Sequence, residues 1–231
     1  MVTIVTGGSK GIGLAIARAV LERGGQVAIS GRRAEDLGIA ARSLGAADRV
    51  LTVQSDVRQP DDAQRLVDET VRRFGGLDVL VNNAGTGRFA NVADMTVEAW
   101  RENIDTNLSG VFYCTRAALP EMRRRGGGFV INISSLAAKN AFVGGAAYCA
   151  SKAGLNQFSE ALMQEVRHDN IRVSCVMPGS VATGFAGHGG GEEWKLAPED
   201  VAKVVVDLID HDPRSLPSRV ELRPSRPPRK G

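Results

Sequence analysis

Apolar residues occur along the chain in seven short runs, and stretches with helical spacing separate these runs. The runs predict strands over 2–5, 26–30, 49–54, 78–82, 128–134, 171–177 and 219–222. The helical spacing predicts helices over 14–21, 34–43, 60–74, 97–125, 146–168 and 198–210. Most strand runs are continuously apolar, which is typical of a parallel sheet buried on both faces. The pattern predicts an α/β fold: a single doubly wound parallel sheet of about seven strands with helices on both faces.

The length and composition fit one such domain. The chain has 231 residues, of which 43% are hydrophobic and 24% are charged, and neither a repeat nor a linker divides it. No apolar run reaches the roughly 18 residues needed to cross a bilayer. The first residues form a predicted strand and not a charged segment followed by an apolar one. We therefore expect a cytoplasmic protein without membrane attachment.

Cysteine and histidine, the usual metal ligands, are few and scattered. The three cysteines and three histidines show no metal-ligand spacing, and an odd cysteine count argues against a disulfide framework. They are Cys114, Cys149, Cys175, His168, His188 and His211. The sequence predicts no metal site.

The formal net charge of +3 conceals a basic C-terminus. Residues 214–231 carry six cations against Glu221 alone, so the remainder of the chain is slightly acidic. Five prolines lie between 213 and 228. We expect a folded domain over 1–222 and a basic, proline-rich tail over 223–231. Nucleic-acid binding is not expected, because base-reading residues do not accompany the cations.

A turn with four glycines follows the first predicted strand, and helical spacing resumes directly after it. The glycines lie at positions 7, 8, 11 and 13, in the order G-x-x-x-G-x-G. Glycines let the backbone approach a pyrophosphate closely, and the following helix offers unpaired N–H groups at its positive end. The stretch predicts a dinucleotide-phosphate site, and the alternative is a glycine-rich helix start without a ligand.

Several motifs together resemble the short-chain dehydrogenase/reductase family along nearly the whole chain. Residues 6–13 read T-G-G-S-K-G-I-G, similar to the family's T-G-x-x-x-G-I-G turn, and 82–85 read N-N-A-G. Tyr148 and Lys152 match its Tyr-x-x-x-Lys motif, and Pro178-Gly179 followed by Thr183 resembles its nicotinamide-side loop. The resemblance implies one NAD(P)-binding domain of the Rossmann type, and the chain is similar to the 3-oxoacyl-carrier-protein reductase branch of the family.

The resemblance implies a catalytic tetrad of Asn107, Ser135, Tyr148 and Lys152. Tyr148 and Lys152 are four residues apart and therefore share one helix face. A lysine ammonium about 4 Å from a phenol favours the phenolate, so we expect Lys152 to lower the pKa of Tyr148, by at most about 3 units. Ser135 follows the fifth strand and is suited to polarise a carbonyl. Without the other motifs, Tyr148 and Lys152 would be an ordinary helix-surface pair.

The resemblance also implies the residues that contact the cofactor, with Asp56 and Val57 at the adenine. They are Gly7, Ser9, Lys10, Gly11, Ile12, Gly13, Arg32, Asp56, Val57, Asn83, Ala84, Gly85, Tyr148, Lys152, Pro178, Gly179, Val181 and Thr183. NAD sites generally place an acidic residue after the second strand, whereas an arginine there accommodates a 2′-phosphate. This chain has Arg32 at that place, and Lys10 lies in the glycine turn. We expect NADP rather than NAD.

The expected activity is hydride transfer between NADP(H) and a carbonyl or alcohol substrate, with a 3-oxoacyl thioester as one candidate. The alternatives are an NAD-dependent alcohol or sugar dehydrogenase and a dinucleotide-binding regulator without activity. The substrate pocket is expected to comprise Leu136, Ala137, Asn140, Phe142, Val143, Gly179 and residues 185–194. A homodimer or homotetramer is expected from the resemblance, although the end of the chain lacks the family's glycine-rich close.

Overall fold

The strands form one seven-stranded parallel sheet in a computed structural model that describes residues 1–185 and 193–227. The strand order is β3-β2-β1-β4-β5-β6-β7. The strands are β1 (Val2–Thr6), β2 (Gln26–Gly31), β3 (Val50–Gln54), β4 (Val79–Asn82), β5 (Gly128–Ile133), β6 (Ile171–Pro178) and β7 (Arg219–Leu222). The fold class predicted from the sequence is confirmed.

The helices cover both faces of this sheet. They are α1 (Gly11–Glu22), α2 (Ala34–Leu44), α3 (Pro60–Phe74), α4 (Val97–Ile104), α5 (Gly110–Arg124), α6 (Ala146–Val166) and α7 (Pro198–Ile209). Ile4 and Val5 are adjacent in β1 and both are fully buried, each in a different core. One core includes α1, α2 and α7, and the other includes α3, α5 and α6. This two-sided burial explains the continuously apolar strand sequences.

The strand order reverses between β1 and β4. β1 pairs with β2 on one side and with β4 on the other, so the segments that follow β1 and β4 leave the same edge in the middle of the sheet. A crevice opens at such a reversal, and ligands of open α/β sheets bind there. The glycine turn after β1 and the segment 83–85 after β4 both lie at this point.

The long helix predicted over 97–125 is interrupted, which corrects that prediction. α4 ends at Ile104, a π-helical turn covers Asp105–Ser109, and α5 begins at Gly110. Side chains on this side bind the loop that follows β4: Asn103 donates to the Arg88 carbonyl and Asn107 to the Thr86 carbonyl. The π-helical turn contains Asn107, one of the two residues that bind this loop, and π turns of this kind are frequent at functional sites.

Within the described residues, no helix is long and apolar enough to cross a membrane. The same residues contain no group of three or more histidine, cysteine or acidic side chains that could hold a metal ion. His188 lies outside the described residues.

The C-terminal tail begins with an ordered contact. Residues 223–227 form no helix or strand, and residues 228–231 lie outside the description. Pro224 packs on the loop after β6, where a Cβ added to Gly179 would lie 3.0 Å from Pro224 Cδ. Residues 225–227 are exposed. The domain boundary at 222 stays a prediction.

Deleting residues 226–231 is expected to leave cofactor affinity unchanged within about twofold, because residues 226 and 227, which the structure describes, are exposed. Deleting residues 223–231 removes Pro224 as well and is expected to weaken cofactor binding. Titration of both truncated proteins with NADPH, followed by fluorescence, measures the difference. A large loss of affinity or solubility in the shorter deletion would show that the tail packs on the domain or on a second subunit.

Candidate active site

The glycine turn between β1 and α1 is packed too tightly for side chains at Gly7, Gly8 and Gly13. A Cβ added to Gly13 would lie 2.3 Å from the Gly7 carbonyl oxygen and 2.5 Å from Asn83 Nδ2. Gly7 has a φ of +64°, which side chains strongly disfavour, and a Cβ there would lie 2.9 Å from Ala84 Cα. The turn therefore lies directly on the segment after β4.

Hydrogen bonds fix the turn to the end of β4. The Thr6 hydroxyl oxygen accepts from the backbone N–H groups of Asn83 and Ala84, both at 3.0 Å. Asn83 Nδ2 donates to the carbonyl oxygens of Thr6 and Gly7, at 2.9 and 3.2 Å. These bonds explain why the T-G and N-N-A-G motifs occur together: each holds the other in place.

The N-terminus of α1 faces the crevice without a negative partner of its own. Lys10 precedes the helix and caps no N–H group with its side chain, and the first turn of α1 contains no acidic residue. The positive end of the helix dipole is thus suited to an anion. Ser9 lies beside the end of β2, where a Cβ on Gly31 would be 3.7 Å from Ser9 Oγ.

Two arginines follow β2 and differ in their partners. The Arg33 guanidinium lies 3.3 Å from Glu35 and 3.6 Å from Asp36. Arg32 is exposed. Within residues 1–185 and 193–227, its backbone carbonyl accepts a hydrogen bond from Gln54 Nε2 at 3.0 Å, and its guanidinium has no bonded partner. The charge of Arg32 is therefore available to a ligand at the end of β2, whereas that of Arg33 is paired.

Asp56, after β3, is held by Arg58. The Arg58 guanidinium donates to both carboxylate oxygens of Asp56, at 2.9 Å to Oδ1 and 3.0 Å to Oδ2 from Nε. This hydrogen bonding holds the pKa of Asp56 below its ordinary value, and the positive charge of Arg32 acts in the same direction. Val57, beside it, is buried and contacts the position where Gly110 opens α5.

Lys152 lies on α6 beneath the crevice and is almost fully buried, with 4% of its surface exposed. Its Nζ donates to the Ile133 carbonyl oxygen at 2.8 Å and lies 5.9 Å from the centroid of the Tyr148 ring. Burial disfavours the ammonium and lowers the pKa of Lys152 to about 8.

Tyr148 differs from its expected electrostatics. Burial raises the pKa of Tyr148, and a hydrogen bond with Ser135 opposes that rise. The expected lowering by Lys152 does not dominate, because the Lys152 amine is bonded to a backbone carbonyl and its own charge is disfavoured by burial. Tyr148 therefore stays a phenol over a wide pH range in this state.

Ser135 lies directly after β5. Its Oγ accepts from the Ala137 N–H at 3.1 Å. The Ser135 side chain is also close enough to Tyr148 to oppose the effect of burial on the pKa of the phenol.

Asn107 lies in the π-helical turn and is fully buried. Its Oδ1 accepts from the Thr86 N–H at 2.8 Å, and its Nδ2 donates to the Thr86 carbonyl at 2.9 Å and to Ser151 Oγ at 3.0 Å. A Cβ on Gly85 would lie 3.2 Å from Asn107 Oδ1 and 3.8 Å from Lys152 Nζ. Asn107 thus holds the loop after β4 beside Lys152.

The loop after β6 crosses toward the glycine turn. Pro178 ends β6, and the Gly179 N–H donates to the Leu222 carbonyl at 2.8 Å. Val181 pairs with Leu196, and Thr183 Cγ2 lies 3.3 Å from the position of a Cβ on Gly11. All four tetrad residues and all the proposed cofactor segments are therefore at one edge of the sheet.

The structure adds one residue to the predicted substrate pocket. The Phe89 ring lies 5.6 Å from the Tyr148 ring and 5.5 Å from the Phe142 ring, centroid to centroid. Phe142 was expected there, but Phe89 was not. An available signal is its place, four residues after the N-N-A-G motif, in a loop that leaves the carboxyl end of β4.

Some of the other residues expected to line the substrate pocket lie at this site, and others do not. Leu136 contacts the position of a Gly179 Cβ at 3.2 Å, Asn140 Nδ2 donates to the Leu136 carbonyl at 3.2 Å, and Ala137 binds Ser135. Val143 is 92% exposed and makes no such contact. Of the expected segment 185–194, residues 186–192 lie outside the described residues.

Comparisons with known proteins give consistent results. The family model of short chain dehydrogenases matches residues 1–192. An uncharacterized oxidoreductase of Staphylococcus aureus is 32% identical over 224 residues, which are 96% of each chain. An alcohol dehydrogenase of the archaeon Thermococcus sibiricus, solved with 5-hydroxy-NADP, has a TM-score of 0.91 and 28% identity over 99% of both chains. A variant of actinorhodin polyketide ketoreductase, solved with NADPH, has a TM-score of 0.88 and 32% identity over 96% of this chain and 94% of the other.

Proposed function

Because the chain belongs to the short-chain dehydrogenase family of oxidoreductases, we propose that it transfers a hydride between NADP(H) and a carbonyl or alcohol substrate. The observation that carries this proposal is that Tyr148 has the buried Lys152 amine 5.9 Å from its ring centroid and Ser135 beside it, where the serine opposes the rise in the pKa of the phenol. A neighbouring alcohol dehydrogenase and a neighbouring ketoreductase were solved with NADP-type cofactors, which supports both the cofactor and the class of substrate.

The residues at the crevice fit a dinucleotide. Gly7 and Gly13 hold the turn against Asn83 and Ala84, and the N-terminus of α1, which has no side-chain cap and no acidic residue in its first turn, is suited to a pyrophosphate. We propose that its phosphates bind the turn and the N-terminus of α1, with the adenine at Asp56 and Val57. The nicotinamide side would contact the segment after β4 and the loop after β6. The full set is Gly7, Ser9, Lys10, Gly11, Ile12, Gly13, Arg32, Asp56, Val57, Asn83, Ala84, Gly85, Tyr148, Lys152, Pro178, Gly179, Val181 and Thr183.

When bound, the reduced cofactor supplies a hydride to a carbonyl carbon. Tyr148, which is protonated at neutral pH, donates its phenolic proton to the carbonyl oxygen. Ser135 donates a hydrogen bond to the same oxygen and stabilises the negative charge that develops there. Lys152 holds a positive charge near the phenol below pH of about 8. Asn107 positions the loop at residues 85 and 86 beside Lys152.

A 3-oxoacyl thioester is one proposed carbonyl substrate. The two alternative functions, an NAD-dependent alcohol or sugar dehydrogenase and a dinucleotide-binding regulator, would give different experimental results. An NAD-dependent dehydrogenase would bind NADH as tightly as NADPH. A dinucleotide-binding regulator would bind the cofactor without reducing any carbonyl compound. Loss of NADPH absorbance with a panel of ketones and 3-oxoacyl thioesters separates the enzyme from the regulator. We propose a homodimer or homotetramer, which light scattering on the purified protein tests.

NADPH is expected to bind about tenfold or more tightly than NADH. The reason is the charge of Arg32, which has no ion-pair partner among the described residues, together with Lys10, since a hydrogen bond to a charged group contributes about 1.5–3 kcal/mol. Arg32→Asp is expected to abolish or reverse the preference. Fluorescence titration with each cofactor measures the four dissociation constants.

Arg33→Ala is the matched control, because Glu35 and Asp36 already hold the Arg33 guanidinium. It is expected to change the NADPH/NADH ratio less than about threefold, within the range of a surface ion pair. Equal affinities of the wild type for both cofactors would contradict the assignment of NADP.

A further inference from the structure

Three phenylalanine side chains form a group beside Tyr148, and each comes from a different loop. Phe89 follows β4, Phe142 lies between β5 and α6, and Phe185 follows β6. The Tyr148 ring lies 5.6 Å from Phe89 at an interplanar angle of 86° and 5.8 Å from Phe185 at 55°. Phe142 extends this group, edge-on to Phe89 at 5.5 Å and 72°. We call Phe89, Phe142 and Phe185 the aromatic wall.

Glycines make room for the aromatic wall. A Cβ on Gly87 would lie 2.7 Å from Phe89 Cζ and 2.9 Å from Phe185 Cε1, so two rings from separate loops lie directly over that glycine. A Cβ on Gly145 would lie 2.6 Å from Phe142 Cε2. Larger residues at positions 87 and 145 would displace the rings, which means that this arrangement depends on specific positions in three loops.

The aromatic wall is not part of either buried core. Phe89 is 39% exposed, Phe142 is 47% exposed and Phe185 is 38% exposed. Three adjacent rings that remain this accessible form an apolar patch, and such patches on soluble proteins mark binding sites. The patch adjoins Tyr148, so a ligand bound to it would be next to the proton donor proposed above.

The cations next to the aromatic wall in the sequence are neutralised. Arg88 Nε lies 2.8 Å from Glu102 Oε2, and Lys139 forms an ion pair with Glu221. Neither charge is available to bind a substrate carboxylate. Of the described residues, these two cations are therefore not free to bind an anionic substrate, and the three rings themselves offer aromatic faces and edges.

We propose that the site takes an uncharged ketone that carries an aromatic ring on the carbonyl carbon or one atom from it. This inference rests on the proposed function. The ring of the substrate packs edge-to-face against Phe89 and Phe185, an arrangement that aromatic pairs prefer and that adds to the burial of apolar surface. The carbonyl oxygen then lies toward the hydroxyl groups of Ser135 and Tyr148. Aliphatic 3-oxoacyl thioesters and oxo acids gain less from such a wall.

Binding tests the inference without turnover. The protein is loaded with oxidised NADP, which cannot reduce a ketone, and acetophenone or cyclohexyl methyl ketone is titrated by calorimetry. The two ketones have the same size, but only acetophenone is aromatic. Acetophenone is expected to bind about fivefold or more tightly, since an aromatic pair contributes about 0.5–1.5 kcal/mol. Equal binding of the two ketones, or no binding of acetophenone, would overturn the inference.

The double variant Phe89→Leu with Phe185→Leu is expected to weaken acetophenone binding about tenfold and cyclohexyl methyl ketone binding about threefold or less. Phe112→Leu is the control, because Phe112 is similarly exposed but lies on α5 against Tyr113. Unchanged melting temperature and NADPH affinity show that the double variant is folded. An unchanged preference for acetophenone in the double variant would refute the aromatic wall as its cause.

Turnover then separates the two proposals. Reduction of acetophenone by NADPH with a larger kcat/KM than for acetoacetate and for the N-acetylcysteamine thioester of acetoacetate supports both. Efficient reduction of the thioester with weak reduction of acetophenone supports the proposed function and overturns the inference. Tight binding of acetophenone without reduction of any ketone supports the inference about the ligand and overturns the proposed function.

Discussion

Tyr148→Phe is expected to lower kcat for ketone reduction by about 100-fold or more and to leave the dissociation constant for NADPH within about twofold. The change removes the phenolic proton that the carbonyl oxygen requires, and general acid catalysis of this kind contributes about 10²–10⁴-fold. The aromatic ring remains, so the contacts with Phe89 at 5.6 Å and with Phe185 at 5.8 Å are preserved. Steady-state rates with NADPH and a separate fluorescence titration distinguish the two effects.

Tyr113→Phe is the matched control, because it is the same change at the second of the two tyrosines of the chain. Tyr113 lies on α5 beside Phe112, and its ring forms no contact with Tyr148. Its rate is expected to equal that of the wild type. If Tyr148→Phe retained a rate near that of the wild type, another group would be the acid and the proposed mechanism would be wrong.

The sheet and the position of the site were predictable because both depend on local patterns. Continuous apolar runs separated by helical stretches specify a buried parallel sheet, and the turn after β1 carries its own glycine signature. The rule that ligands bind where the strand order reverses then brings segments after β1, β4, β5 and β6 to one edge. Thr6 and Asn83, 77 residues apart, meet there through hydrogen bonds.

The π-helical turn at Asp105–Ser109 was not predictable, because apolar spacing does not show at which residue a helix widens. The bonds of Asn107 to Thr86, in the loop after β4, join two separate elements and also lack a local sequence signal. Hydrophobic periodicity did not indicate the position of Phe89 either, because a single aromatic residue in a loop follows no periodic pattern. Its place at the site becomes visible only from the rings that it contacts. Both features depend on contacts between distant segments.

The pKa of Tyr148 was predicted in the wrong direction for a similar reason. Four-residue spacing predicts that the two side chains share a helix face, but not how deeply the amine is buried or that the Ile133 carbonyl binds it at 2.8 Å. Burial lowers the pKa of Lys152 and raises that of Tyr148. Desolvation, which sequence spacing does not reveal, therefore outweighs the attraction between the two groups.

Lys152→Met is expected to lower kcat/KM by about 100-fold or more and to weaken NADPH binding, because the proposed role of the lysine includes contacts with both Tyr148 and the cofactor. Methionine retains the length and most of the volume of the side chain but cannot carry a charge. Lys203→Met is the control, since Lys203 is exposed on α7 and pairs with Asp207 at 2.9 Å. Unchanged NADPH binding and turnover in Lys152→Met would refute both roles.

The same variant should change how stability depends on pH. The pKa of Lys152 is about 8 in the folded protein against an ordinary value of 10.5, so the unfolded chain binds more protons between these two values. The contribution of Lys152 to the free energy of unfolding therefore rises with pH across this window, by about 3 kcal/mol in total. Below pH 8 both states are protonated and the cost of burying the ammonium is fully present.

Lys152→Met is expected to remove this rise with pH, whereas Lys203→Met retains it. Urea unfolding of the three proteins at intervals from pH 7 to pH 10.5 measures this pH dependence. An equal pH dependence in wild type and Lys152→Met would show that burial does not lower the pKa of Lys152.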